Sequence, residues 1–566
     1  MPQDAFTLRH VARELNEALA GGKVNKIIQP SRDETDILLY AGGKTRKLIL
    51  NTNASFARAC ISESARSAPA TAPNFCMLLR KHLTGATLSE VKQIGFERIL
   101  AFTFDCNGEF SRATRVLYAE IMGKYSNLIL TENGVISGAL KVTSLQESFK
   151  RTLFPGAKYQ FPEPQDKADP RDINALCALF AAFGGGELAK FIFNSIGGLA
   201  YSTAALICAG AGIGDDAPPF DGAGAERFAR FVHEYIFSDE ISPAVQVENG
   251  RYADFHARFG GGKAFASVNE AEDAFYEAKE RAKEFSDKQR KLESVLSARR
   301  KKEEKKLALL LERERECENM ETNRIYGELI TANIYALKKG AEGCELANYY
   351  EESCPTVKIA LDKTLTPAQN AQKYYKKYNK QKRTLAAIAP QRRETEDEIE
   401  YIKSILSALS RAENVSDLAE IDEELKEYGL IKEDKGKKRI KQTAPFRTFI
   451  CEGFTVYAGR NNVQNDRLLK QAKPDDIWLH TQKYHSAHVV IKRENAEVPE
   501  KVKLFAAEIC ACFSDGKEGD KIPVDMCERR YVKKPPRARS GFVVYTDFTT
   551  MLVTPKRHDE SETGAR

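Results

Sequence analysis

The spacing of apolar positions changes repeatedly along the chain, and each change marks a region. Leu8, Val11, Leu15 and Ala18 recur at helical spacing and predict a first helix with one apolar face. The β-rich runs KVNKIIQP, DILLYAGG and RKLILNTN follow, and Asn107-Gly108 and Asn133-Gly134 between such runs predict hairpin turns. PNFCMLLRKHL predicts a short helix with Pro73 near its first turn. PEPQDKADPRD, from Pro162, is a linker. From about residue 170 to 265, short helical stretches alternate with glycine clusters such as GGGELAKF and CAGAGIG. The uncharged segment Phe191 to Gly214 is broken by Asn194, Ser195, Gly197, Gly198, Ser202 and Thr203. Two short helices meeting at a glycine turn are expected there, rather than a membrane span of about 20 mainly apolar residues.

Beyond Asn269 a long helix is expected. Leu292, Leu296, Leu307 and Leu310 punctuate a segment dense in charge. A second run begins near Pro367; in it Ile399, Ile402, Leu406 and Leu409, then Leu418, Ile421, Leu425 and Tyr428, step by three and four, as in a coiled-coil seam. Gly340, Gly343 and Pro355 lie between the runs. The pattern predicts an antiparallel hairpin with a small β-like cap, whose arm of about sixty residues would reach on the order of 90–100 Å. EDKGKKRIKQTAP is a basic linker, RTFICEGFTVYAGR alternates like a strand pair, and RHDESETGAR is expected to be disordered. The fold class is multi-domain α+β, divided at 1–165, 170–265, 266–432 (middle segment about 336–366) and 445–556.

Composition narrows the function classes. A chain of 566 residues suggests about three to five domains, and 42% apolar residues can bury real cores. With 86 basic against 80 acidic residues the net charge is only +6, so any nucleic-acid surface must come from local patches. The twelve cysteines contain no CxxC, which points away from a zinc ribbon or disulfide framework and toward reduced thiols in a cytoplasm. The first residues lack the long apolar run of a secretory signal. The common motifs GxxxxGK[ST], GxSxG and HExxH are absent.

Four stretches carry candidate chemistry. DIWLHTQKYHSAHVVI, from Asp476, holds the only tryptophan and the histidines His480, His485 and His488. Three readings stand: a zinc site, a packed Trp478 with histidines hydrogen-bonded at a strand end, or imidazole contact with RNA. The spacing lacks the i, i+4 registration of a helical metal site, and no metal is called. Arg460 and Asn461 follow a glycine, and RRYVKKPPRARSGF gathers Arg529, Arg530, Lys533, Lys534, Arg537 and Arg539 around Tyr531 and Phe542. Cations with interleaved aromatics suit phosphates and unpaired bases; a basic edge that blocks sheet aggregation is the alternative. IGFERIL sets Glu97 beside Arg98. Strand neighbours point to opposite faces, so one ligand could meet both only at a turn or bulge. Finally, removal of Met1 would expose the amine of Pro2, the nucleophile of certain base-excision glycosylases. Gln3 stands where those enzymes usually carry glutamate.

Taken together, PNFCMLLRKHL, YAEIMGKYSNLILTENG, FPGAKYQFPEP, GELITANIYALKKG, LDKTLTPAQNAQKYYKKYNKQK, YAGRNNVQNDRLL, DIWLHTQKYHSAHVVI and IPVDMCERRYVKKP resemble the NFACT proteins, in order and over nearly the whole chain. The resemblance implies a glycosylase-like NFACT-N domain, a helix-hairpin-helix region, a coiled coil with a middle domain, and an NFACT-R domain. It implies a cytoplasmic, non-catalytic, cofactor-free factor of ribosome quality control. Such a factor binds large ribosomal subunits (rRNA and ribosomal proteins) obstructed by peptidyl-tRNA, recruits alanyl-tRNA, and supports mRNA-free alanine tailing of the nascent chain, with no membrane partner. The alternatives are a glycosylase-like enzyme using Pro2 and a fibronectin-binding surface adhesin. The family's tRNA-engaging acidic-Arg pair falls on Glu97 and Arg98, with Glu97 replacing a common aspartate, and an acidic position matches Asp4. RNA contacts are expected from Arg460, Asn461, His480, His488, Arg530, Lys533 and Lys534. His485-Ser486-Ala487 replaces the family's Pro-Gly-Ser, and Ser540 replaces a frequent proline.

Overall fold

The computed structural model describes residues 3–64, 68–69, 71–107, 112–143, 151–163, 165–214, 216–432, 444–516, 519–536 and 538–561. They form two compact units, residues 1–283 and 284–566. In the first, helix α1 (Ala5–Leu19) buries Phe6, Leu8, Val11 and Leu15 along one stripe. Those side chains meet a nine-stranded sheet. Its strands are β1 (Lys23–Ile28), β2 (Glu34–Ala41), β3 (Lys44–Asn51), β4 (Arg58–Ile61), β5 (Thr87–Gln93), β6 (Ile99–Asn107), β7 (Arg112–Glu120), β8 (Asn127–Glu132) and β9 (Val135–Ala139). Their order is β4-β3-β2-β1-β5-β6-β7-β8-β9, with neighbours antiparallel. Along β6, Leu100, Phe102 and Phe104 alternate into the core, each worth about 1.5–3 kcal/mol of burial. The Asn133-Gly134 turn has φ of 50° and 76°, as a primed hairpin turn requires. Gly108 lies outside the described residues, as do Met1 and Pro2.

Helix α2 (Asn74–Leu83) begins after Pro73 and packs on the same core. So do α3 (Ile173–Ala181), α4 (Leu188–Ser195), α5 (Tyr201–Gly210) and α6 (Gly222–Phe237), through Leu176, Ile192, Ile207 and Val232. The helical region therefore shares one hydrophobic core with the sheet. The segment that could pass for a membrane span is α4 and α5 joined at Gly198 (φ 79°). Among the described residues no helix is long and apolar enough to cross a membrane.

Helix α7 (Val268–Arg315) runs on into the second unit, where helix α8 (Met320–Ala332) and α9 (Pro367–Ser410) follow. Thr366 and Gln369 form a capping box at the start of α9, with Pro367 in its first turn. The helices α7 and α9 are antiparallel: Gln289 donates to the Leu409 carbonyl, while Glu314 pairs with Arg392. Leu292 and Leu296 pack against Ile402, Ile405 and Leu409. The cap is a hairpin of Gly343–Ala347 and Thr356–Ala360. Two expectations need correction. With 48 and 44 residues, α7 and α9 are each about 65–72 Å long, short of the sixty-residue arm. The seam also does not run unbroken to Tyr428: α9 ends at Ser410, and α10 (Val415–Glu427) starts anew where Asn414 accepts from the Asp417 N–H. Leu418, Ile421 and Leu425 then fold back onto the same cluster.

The carboxy-terminal domain is a six-stranded antiparallel sheet. Its order is Arg447–Cys451, Phe454–Ala458, Val489–Ile491, Ile477–Thr481, Ile522–Glu528 and Thr549–Val553. RTFICEGFTVYAGR is its first hairpin. Helix α11 (Asn462–Gln471) packs on the Trp478 side and α12 (Glu500–Cys512) on the Leu479 side, as strand alternation dictates. The basic linker from 433 to 443 and the last five residues, 562–566, lie outside the described residues.

Candidate nucleic-acid interface

Glu97 and Arg98 sit in the tight turn joining β5 to β6, not within a strand. The turn thus releases them from strand alternation. It closes through Glu97 N–H to the Ile94 carbonyl (3.2 Å) and Ile94 N–H to the Ile99 carbonyl (2.9 Å), with Gly95 at φ 61°. Three elements hold it from below. The Gln93 amide donates to the carbonyls of Ala5 (2.8 Å) and Glu97 (2.9 Å). Ile121 N–H donates to the Arg98 carbonyl (2.8 Å). Gly198 packs so closely that a Cβ there would stand 2.7 Å from the Phe96 oxygen. Glu97 is exposed and Arg98 half-buried. Partial burial raises the Glu97 carboxyl above its usual range, while the Arg98 charge pulls it back. Sequence reasoning missed Gln93 and Gly198; a glutamine at a strand end and a glycine between helices carry no chemical signature on their own.

Asp4 is placed differently. It is buried and caps α1, one oxygen accepting from Thr7 N–H (2.9 Å). The other oxygen accepts from Ala200 N–H (2.9 Å) and the Thr203 hydroxyl. One carboxylate therefore satisfies the starts of two helices. Its geometry is that of an internal clamp under the turn, with both oxygens already engaged.

In the carboxy-terminal domain the expected contacts separate into two groups. Arg460, with 10% of its side chain exposed, pairs with Glu413 (3.1 Å) and Glu560 (2.8 Å). Asn461 caps α11 through its oxygen and donates its amide to Glu420 (2.6 Å). His488 is buried, its ring perpendicular to Trp478 and to His480, each at 5.3 Å between centroids. Burial holds His488 well below the usual imidazole range and lowers His480 to about 4, so both are neutral near pH 7. Arg460, Asn461 and His488 are committed to internal partners, and His480 is half-buried against Trp478. Among the described residues no three His, Cys, Asp or Glu groups converge as metal ligands.

The second group is at the surface. Lys533 is exposed, and Arg530 is half-exposed beside Glu528 (2.6 Å). Tyr531 and Phe542 stand exposed on the same segment. Lys534 pairs with Asp466, and Arg539 pairs with Glu398 while lying over the Tyr401 ring. Arg529 is tied to the carbonyls of Leu469 (2.8 Å) and Val532 (3.1 Å). Arg537 lies outside the described residues. Both departures from the family pattern have local substitutes. Ser540 N–H donates to the Tyr428 hydroxyl (3.0 Å), a bond proline could not make. In place of Pro-Gly, the Ser486 hydroxyl accepts from Thr481 N–H (3.3 Å), and Ala487 N–H donates to the Phe513 carbonyl (3.0 Å).

The NFACT N-terminal and middle domains match residues 4–444, and the NFACT protein RNA binding domain matches residues 445–544. The chain belongs to the NFACT family. Within that family it is 36% identical over 565 residues to the Rqc2 homolog RqcH of Bacillus subtilis (strain 168), covering 98% of each chain. It is 28% identical over 158 residues to ribosome quality control complex subunit 2 of Saccharomyces cerevisiae, covering 26% of this chain and 14% of that one. Among solved structures, the N-terminal part of the fibronectin/fibrinogen-binding protein from Streptococcus suis is 26% identical, with a TM-score of 0.42, covering 48% of this chain and 98% of that one. The NFACT RNA-binding match spans the stretch that carries Arg530, Lys533, Tyr531 and Phe542.

Proposed function

We propose that this protein is a cytoplasmic ribosome quality control factor. It binds large ribosomal subunits obstructed by peptidyl-tRNA, recruits alanyl-tRNA, and supports mRNA-independent alanine tailing of the stalled chain. Peptide-bond formation belongs to the ribosome, so the protein needs no nucleophile, metal or cofactor of its own. The single observation that carries the reading is the near full-length likeness to the Bacillus RqcH together with the match to the NFACT RNA-binding domain. The Glu97–Arg98 turn supplies polar contact to tRNA, recognised by shape and a few specific groups. Arg530 and Lys533, with Lys534 beside them, supply phosphate contact, and Tyr531 and Phe542 offer faces for unpaired bases.

The test is to purify tagged protein from cells and sequence the bound RNA. Large-subunit rRNA with one enriched tRNA isoacceptor group is expected. Glu97→Ala with Arg98→Ala should remove the tRNA and spare the subunit. Full tRNA recovery by that double variant would remove the turn from the proposal. Protein found only in the free fractions of a gradient under stalling stress would remove the proposal itself.

A further inference from the structure

Next to the Glu97–Arg98 turn stands a second guanidinium that neither the sequence motifs nor the family match singles out. Arg171 lies in the segment leading to α3, two residues after Asp169. Its own N–H donates to Asp169 Oδ1 (2.9 Å), which folds the segment into a local turn. Its Nε donates to both Asp169 oxygens (3.0 Å each), and Nη2 donates to Oδ2 (2.5 Å). One edge of the guanidinium is thereby fixed. The remaining nitrogen, Nη1, has no hydrogen-bond partner among the described residues.

The group is placed across the turn itself. A Cβ on Gly95 would lie 3.6 Å from Nη1, 3.6 Å from Nη2 and 3.8 Å from Cζ. The guanidinium therefore lies within contact range of the turn at Gly95, with Nη1 and Nη2 nearer than Cζ. Gly95, at φ 61°, is required by the turn itself rather than by the guanidinium. Arg171 is also near enough for its charge to act on Glu97. Glu97 is therefore within electrostatic reach of both Arg98 and Arg171. The side chains of Arg171 and Asp169 are 55% and 44% exposed. A pair so exposed contributes at most about 1 kcal/mol to stability, so folding alone gives little reason for a bidentate, fixed geometry. Holding the unpartnered Nη1 in place beside the turn for an anion does, because a fixed fork loses less entropy on binding.

We infer that Arg171 is a further tRNA contact, its Nη1 edge binding a backbone phosphate next to the nucleotide held at the Glu97–Arg98 turn. Asp169 acts as the positioning residue that aims it. This rests on the reading of that turn as the tRNA site. A phosphate contact carries no sequence information, so Arg171 adds affinity without choosing the tRNA.

The experiment measures binding of purified total tRNA to the full chain over a salt series. Arg171→Ala should weaken binding about 3- to 10-fold at low salt, equally for all tRNAs, and lower the log–log salt slope by about one. Arg171→Lys, which keeps the charge and loses the fork, should fall between. Wild-type affinity and slope for Arg171→Ala, with the Glu97→Ala/Arg98→Ala variant losing tRNA, would overturn this inference alone. If both variants bind like wild type, the reading of the turn falls and takes Arg171 with it. An unchanged melting temperature for Arg171→Ala separates lost contact from lost fold.

Discussion

Arg98 and Arg460 follow similar logic in the sequence and opposite logic in the fold. Each lies next to a polar or acidic neighbour in a motif that resembles RNA-binding family members. Arg98 stands half-buried on a turn whose support comes from backbone and amide contacts beneath it. Arg460 is enclosed by carboxylates: Glu413, Glu560 and, at 3.8 Å, the buried Asp417. Arg447, fully buried beside it, shares Glu413 (3.2 Å) and Glu560 (3.3 Å) and lies over the Phe513 ring. The comparison teaches that an arginine beside a polar neighbour in sequence can be claimed by carboxylates from distant segments, as Arg460 is. A cation held by three carboxylates, one of them the buried Asp417, cannot leave for a phosphate without giving up all three.

The sharpest way to break this comparison is Arg460→Met. The buried Asp417 would lose its guanidinium, while Glu413 and Glu560 keep Arg447, and urea unfolding should show a loss of about 2–4 kcal/mol. A wild-type midpoint with weakened RNA binding would reverse the assignment. Next is pH. Glu424 is buried against the Tyr401 hydroxyl (2.7 Å) and the Asn462 amide (3.2 Å). Burial, reinforced by Asp466 and Glu427, raises it to about 7. A carboxyl raised on folding stabilises the protein below its unfolded value, and that contribution fades as pH rises through about 7. Glu424→Gln, which cannot ionise, should therefore gain on the order of 2–3 kcal/mol over wild type at pH 8 and nothing at pH 4.5. An equal gain at both pH values would contradict the cause given.

Asp4→Asn comes third. It weakens two helix starts and should lower stability by about 1–3 kcal/mol in the same unfolding assay. Because Asp4 supports the turn through the starts of α1 and α5, tRNA binding should fall only in step with unfolding. tRNA loss at full stability would instead place Asp4 at the interface. The smallest effect is Lys533→Ala, expected to change stability by less than about 0.5 kcal/mol while lowering RNA affinity and its salt slope. Unchanged RNA affinity would shift attention to Arg530.

Much of this was legible beforehand. The stripe Leu8, Val11 and Leu15, the Asn133-Gly134 turn, the two helices around Gly198 and the capped hairpin of long helices all follow from local spacing and turn chemistry. Such features depend on residues a few positions apart, so a linear reading finds them. The carboxy-terminal histidines were legible only as alternatives. Trp478 and His480 point to one face of their strand, and only the packing of α11, Val532, Val543 and Tyr545 over it removes His488 from solvent.

By itself the sequence determined the periods, the turns, the family and the short list of polar side chains. The tertiary structure decided which of those side chains face water. That decision rests on partners far apart in the chain: Thr203 for Asp4, Glu560 for Arg460, Asp466 for Lys534. The physical reason is that a charge must find either solvent or, inside the protein, hydrogen-bond donors or a counter-charge. Local sequence fixes the charge; only the fold fixes which of the two it meets.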